Sequence, residues 1–120
     1  MEIEFEKIDH IHIYVTDRSH AEIWYQNILG MQRVKEYEFW AVDGGPLTIS
    51  NGGVHLALFT GSKSNTSAVA MKVTRQGFDQ MRQHLNNQNV DFHFEDHDLA
   101  HSLYLTDPDG NEYEVTTYDV

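Results

Sequence analysis

Residues 8–17, IDHIHIYVTD, alternate strictly between two kinds of side chain. That period of two predicts a strand with two different faces. Ile11, Ile13 and Val15 share one face and need a core, while His10, His12 and Tyr14 share the other. Two imidazoles and a phenol make a poor core face and a good start for a metal site or a polar cavity.

Downstream, Asp17 or Ser19 is placed to cap a helix carrying Ala21, Trp24, Tyr25, Ile28 and Leu29 at helical spacing, and Gly30 stops it. Strands are predicted over 34–42, 47–50 and 54–59, with a DGGP turn at 43–46 and a tight hairpin at Asn51-Gly52. A small polar linker, GSKSNTS over 61–67, follows. The pattern then restarts: a strand over 68–73, a helix over 76–87 burying Phe78, Met81 and Leu85, a strand over 90–94, an EDHDLA loop, and strands over 101–105 and 112–118 flanking a DPDG turn. The order is βαβββ, linker, βαβββ. Tyr14-Val15-Thr16-Asp17-Arg18 recurs as Lys72-Val73-Thr74-Arg75, a shift of 58. Each half is too small to bury a secure core alone, so two halves side by side, or exchanged between two chains, are expected.

The 120 residues suit one domain, with module one over 1–60 and module two over 68–120. Nineteen acidic residues against 8 Lys plus Arg give a net charge of −11, which argues against nucleic acid and anionic membrane surfaces as partners. There is no cysteine, which excludes disulfides, cysteinyl zinc sites and thiol nucleophiles. The acidic start MEIEFEK lacks the apolar run of a signal peptide, and no stretch approaches the roughly 20 apolar residues of a membrane span. A cytoplasmic location is the expectation.

Under the repeat, the first strand of module one offers His10 and its last strand His55. Module two offers Ala68 and Glu114 at the matching places. Should the strands line one curved sheet, His10, His55 and Glu114 converge. Two imidazoles and a carboxylate suit Fe(II), Mn, Ni or Zn and leave coordination positions open for a substrate. The plainer alternative stays open: a histidine on a strand is usually a surface or satisfied polar group, and DPDG is usually only a turn. His20, His84, His93 and His97 receive no role.

Four segments, DHIHIYVTD (9–17), WYQNILGM (24–31), GGVHLALF (52–59) and SLYLTDPDGNEYEV (102–115), give the chain a resemblance to the vicinal oxygen chelate superfamily. This is the glyoxalase, bleomycin resistance and extradiol dioxygenase group. The resemblance implies an α+β fold of two βαβββ modules forming a partly open curved sheet. It implies a divalent metal ion held by His10, His55 and Glu114. It departs from the family at Ala68, where many members carry a further histidine ligand. Tyr104, ten residues before Glu114, resembles a tyrosine that contacts metal-bound substrate in the dioxygenases. His12 and His101 are further candidates for moving a proton.

The implied function is a metal-dependent enzyme acting on a small substrate with adjacent oxygens. Ring cleavage stands slightly ahead of glyoxalase-like isomerisation or lysis and of fosfomycin-type transfer. The alternative is a metal-free binding or sequestering protein of the bleomycin resistance type, favoured by Ala68, with Tyr37, Phe39 and Trp40 lining its pocket. The resemblance also implies a homodimer.

Overall fold

Strand β1 (Ile11–Val15) sits at one edge of a four-stranded sheet ordered β1-β4-β3-β2, with β2 at Gln32–Arg33, β3 at Leu47–Asn51 and β4 at Val54–Thr60. The computed structural model describes residues 3–4, 6–42, 44–61 and 68–120. Asp43 of the expected DGGP turn and residues 62–67 of the expected linker fall outside these. By its internal contacts the chain divides into two compact units, Met1–Ser62 and Lys63–Val120.

In the first unit β1 runs parallel to β4, with Ile11 opposite Leu56 and Ile13 opposite Leu58, and β3 pairs antiparallel with β4. A parallel neighbour requires a crossover, and helix α1 (Arg18–Leu29) makes it. Asp17 caps α1 by accepting from the His20 amide at 3.0 Å. Gly30 ends it in the left-handed region at φ 64°. Ala21, Tyr25, Ile28 and Leu29 of α1 are buried, as are Ile13, Val15, Ile49, Leu56 and Leu58 of the sheet. Trp24 is only half-buried, its ring edge-on to Tyr25.

The strand expected over 34–42 does not form. Gln32 and Arg33 make a two-residue strand, and Lys35–Ala41 is a 3₁₀ helix. Its i→i+3 geometry eclipses side chains three apart, and Tyr37 stacks on Trp40 with ring centroids 4.7 Å apart. The Arg18 guanidinium, from α1, donates to the carbonyls of Ala41 at 2.9 Å and Gly45 at 2.6 Å. These bonds supply partners that a strand ladder would otherwise have supplied. Gly45 is required here, because a Cβ would lie 2.2 Å from the Trp40 carbonyl oxygen.

The second unit repeats the plan with sheet order β5-β8-β7-β6. Its elements are β5 (Ala68–Lys72), α2 (Arg75–Asn87), β6 (His93–Asp96), β7 (His101–Thr106) and β8 (Glu112–Thr117). Thr74 caps α2 through its hydroxyl, which accepts from the Gly77 amide at 3.1 Å. Phe78 and Leu85 of α2 are fully buried, as is Leu103 of the sheet; Val69, Leu105, Tyr113 and Val115 are nearly so. Met81 is half-buried. Burial of each such side chain stabilises the unit by roughly 2 kcal/mol. Each unit is thus a βαβββ module with one open four-stranded sheet, and the class is α+β.

Candidate metal centre

In the first unit the sheet face opposite α1 carries the histidines. His12 pairs with Ala57 and Tyr14 with Phe59, so these four share that face. His55, paired with Ser50 across β3, alternates with Leu56 onto the same side. Continuing the β1–β4 register one residue outward sets His10 opposite His55. His10 Nδ1 lies 2.8 Å from Asp9 Oδ2. A carboxylate only accepts, so this nitrogen carries the hydrogen and His10 Nε2 is left with its lone pair when the ring is neutral. That Nε2 lies 3.1 Å from Nε2 of His12. The two rings stack at 5.0 Å and 24°, and Phe59 packs on His12 at 4.7 Å. The bond from His10 holds the Asp9 carboxyl below the usual carboxylate range, against some desolvation and with help from the charges of His10, Lys7 and His55.

In the second unit Tyr104 pairs with Glu114, and Glu114 with Ala70. Ser102 Oγ donates to Glu114 Oε2 at 2.8 Å and lies 3.0 Å from Thr116 Oγ1, which fixes the carboxylate on its strand. Ala68, Ala70, Tyr104, Glu112 and Glu114 line a recess of about 240 Å³. Its room comes from the two alanines. Burial, and next the negative charge of Glu114, raise the Tyr104 phenol above its ordinary value. The Tyr104 hydroxyl contacts His97 Nε2 at 2.9 Å.

Residues 7–115 match the family model described as the Glyoxalase/Bleomycin resistance protein/Dioxygenase superfamily. The chain belongs to this superfamily. No curated protein matches it in sequence. Many solved structures share this fold with it. An integron cassette protein from the mobile metagenome of the Halifax Harbour sewage outfall superposes with a TM-score of 0.81 at 16% identity, covering 94% of this chain and 99% of that one. Lactoylglutathione lyase from Agrobacterium tumefaciens gives 0.76 at 18% identity, covering 93% of each chain. The fosfomycin resistance protein FosX from Mesorhizobium loti gives 0.72 at 18%, covering 95% and 93%.

Superfamily members typically use divalent metals and bind small-molecule substrates. Among the described residues, no three His, Asp or Glu side chains stand grouped as a preformed metal cluster. The donor chemistry nevertheless fits a divalent ion. His10 presents an imidazole nitrogen with a carboxylate on its other ring nitrogen, one of the partners that orient metal-bound histidines. Glu114 presents a carboxylate with one oxygen anchored.

Two sequence expectations need correction. His55 and Glu114 do not hold matching places. A shift of 58 carries His10 to Ala68 and His12 to Ala70, and Ala68 pairs with Glu112 while Ala70 pairs with Glu114. The counterpart of His55 is therefore Glu112, which the sequence reading passed over. His101 does not join Tyr104 and Glu114. It pairs with Thr117 and faces α2, against Phe78 and Phe94, with Nδ1 2.9 Å from Arg75 Nη1. Asp9, Ser102 and His97 were also missed. The adjacency of Asp9 and His10 was the one local signal available.

The aromatic residues expected to line a pocket, Tyr37, Phe39 and Trp40, are all exposed. No helix among the described residues is long and apolar enough to cross a membrane.

Proposed function

We propose that this chain is a divalent-metal-dependent enzyme acting on a small substrate with adjacent oxygens, with His10, His55 and Glu114 as the metal ligands. The observation that carries the reading is the Asp9–His10 contact, which sets the ring hydrogen on Nδ1 and keeps the Nε2 lone pair for a ligand bond. When bound, the ion would polarise the substrate oxygens and stabilise negative charge developing on them. Tyr104 would give a substrate oxygen a hydrogen bond. As a neutral phenol, Tyr104 has a hydrogen to donate to such an oxygen. Cleavage of a catechol ring leads the candidate reactions on the strength of Tyr104, ahead of glyoxalase-type lysis and of opening a fosfomycin epoxide. The protein acts as a homodimer in this reading.

The test is metal analysis of untagged protein, followed by assay of the metal-loaded chain on a catechol, a hemithioacetal and fosfomycin. Retention of about one Fe, Mn, Ni, Co or Zn per chain, lost in His10→Ala, His55→Ala and Glu114→Ala alike, supports the enzyme. No metal after reconstitution overturns it. That result would leave the second reading, a metal-free binding protein whose open recess owes its room to Ala68 and Ala70.

A further inference from the structure

The assigned ligand set does not include His12, yet its Nε2 meets that of His10 at 3.1 Å. Residues two apart on a regular strand project in parallel, with ring nitrogens well separated. The convergence arises because His10 lies just outside β1, which begins at Ile11, so its ring is free to lean over His12. Phe59 holds the His12 ring from the neighbouring strand, and Asp9 holds His10 from behind.

We infer that His12 is a further ligand of the metal, chelating it together with His10 through the two Nε2 atoms, and that Asp9 is the positioning residue of this pair. The inference rests on the proposed metal dependence and extends its ligand set. Zinc–imidazole bonds of about 2.0–2.1 Å put two neighbouring ligand nitrogens about 2.9–3.4 Å apart for angles between 90° and tetrahedral. The observed separation falls inside that range, so the two nitrogens already stand at the spacing of neighbouring ligands. Before it enters, hydrogen placement is set by the chain of contacts. Asp9 accepts from His10 Nδ1, His10 Nε2 accepts, and His12 Nε2 donates. Chelation therefore leaves the His10 tautomer unchanged and moves the His12 hydrogen from Nε2 to Nδ1.

The experiment uses the full chain, with Zn(II) as the probe. Titration calorimetry is run on wild type, His10→Ala, His12→Ala, His12→Phe and Asp9→Asn, and the histidine ring nitrogens of wild type are followed by ¹⁵N NMR. His12→Phe keeps an aromatic ring against Phe59, so a loss of affinity shared by both His12 variants reports the missing nitrogen. The expected result is a fall in affinity of at least about tenfold in both, and of about tenfold to a hundredfold in Asp9→Asn, the usual range for losing such a partner. In wild type the His12 spectrum changes tautomer on adding Zn(II) while that of His10 does not. Unchanged affinity in both His12 variants with binding lost in His10→Ala, or a His12 tautomer indifferent to Zn(II), overturns the inference and leaves the metal reading standing. Zn(II) binding indifferent to His10→Ala as well overturns both.

Discussion

The Tyr104 hydroxyl lies 2.9 Å from Nε2 of His97, on the sheet face that also holds Glu114. The phenol is raised above its ordinary 10.0 first by burial and then by the Glu114 charge. Between 10 and the raised value, the unfolded chain has lost this proton while the folded chain keeps it. Stability therefore falls as pH rises above 10. Glu114→Gln removes the charge and leaves the burial, so the Tyr104 titration should move down without reaching the ordinary value. The phenolate absorbance of each protein, less that of its Tyr104→Phe counterpart, measures this. An unmoved titration would mean that Glu114 does not act on the phenol.

Asp107 is 4% exposed and gathers the DPDG turn around itself. Its Oδ1 accepts from the amides of Asp109 at 2.9 Å and Asn111 at 2.8 Å, and its Oδ2 from Asn111 Nδ2 at 2.8 Å. Asp107→Ala leaves buried donors of Asn111 without this acceptor. The expected loss is about 3 kcal/mol, read from urea unfolding, since bonds to a charged acceptor are each worth about 1.5–3 kcal/mol and do not add fully. A loss under about 1 kcal/mol would show that Pro108 and Gly110 make the turn without it.

The sequence made the helices legible because their ends are written locally: Asp17 before α1, Gly30 after it, Thr74 before α2. The faces of the strands were legible for the same reason. Parity alone separates His101 from Tyr104, three residues on, so their opposite faces are readable from the sequence. Register was not legible. Which residue of β5 stands beside Glu114 depends on a pairing across more than forty positions, and it proved to be Ala70 rather than Ala68. The 3₁₀ helix was hidden likewise, because its ending on Ala41 is set by Arg18 and by the tight approach of Gly45.

Gly30 holds φ at 64°, and a Cβ there would lie 3.0 Å from Asn51 Nδ2. That amide donates to the Leu29 carbonyl at 2.9 Å, satisfying an end of α1 from strand β3. Gly30→Ala adds the left-handed penalty of about 1 kcal/mol and displaces the Asn51 bond. The total expected is about 1–2 kcal/mol. Asn51→Ala should give only the hydrogen-bond share, about 1 kcal/mol. Thermal unfolding of both variants checks the order. Equal losses would mean that the backbone conformation is not strained by the added methyl.

Glu22 on α1 and Arg33 on β2 meet through two hydrogen bonds, Nη2 to Oε1 at 2.9 Å and Nε to Oε2 at 2.5 Å. The bonds from Arg33 hold the Glu22 carboxyl below its ordinary 4.5, against the opposing effect of burial. A depressed carboxyl stabilises the fold above its unfolded value, and that stability is lost as pH falls through the folded one. Arg33 is nearly half exposed, so solvent screening limits the pair to about 0.5–1 kcal/mol. Glu22→Gln should therefore lose about that much at pH 7 and nothing at a pH well below the folded carboxyl value, with an acid limb shallower than that of wild type. Urea unfolding at the two pH values measures the difference. An equal loss at both would assign the effect to packing of the side chain rather than to its charge.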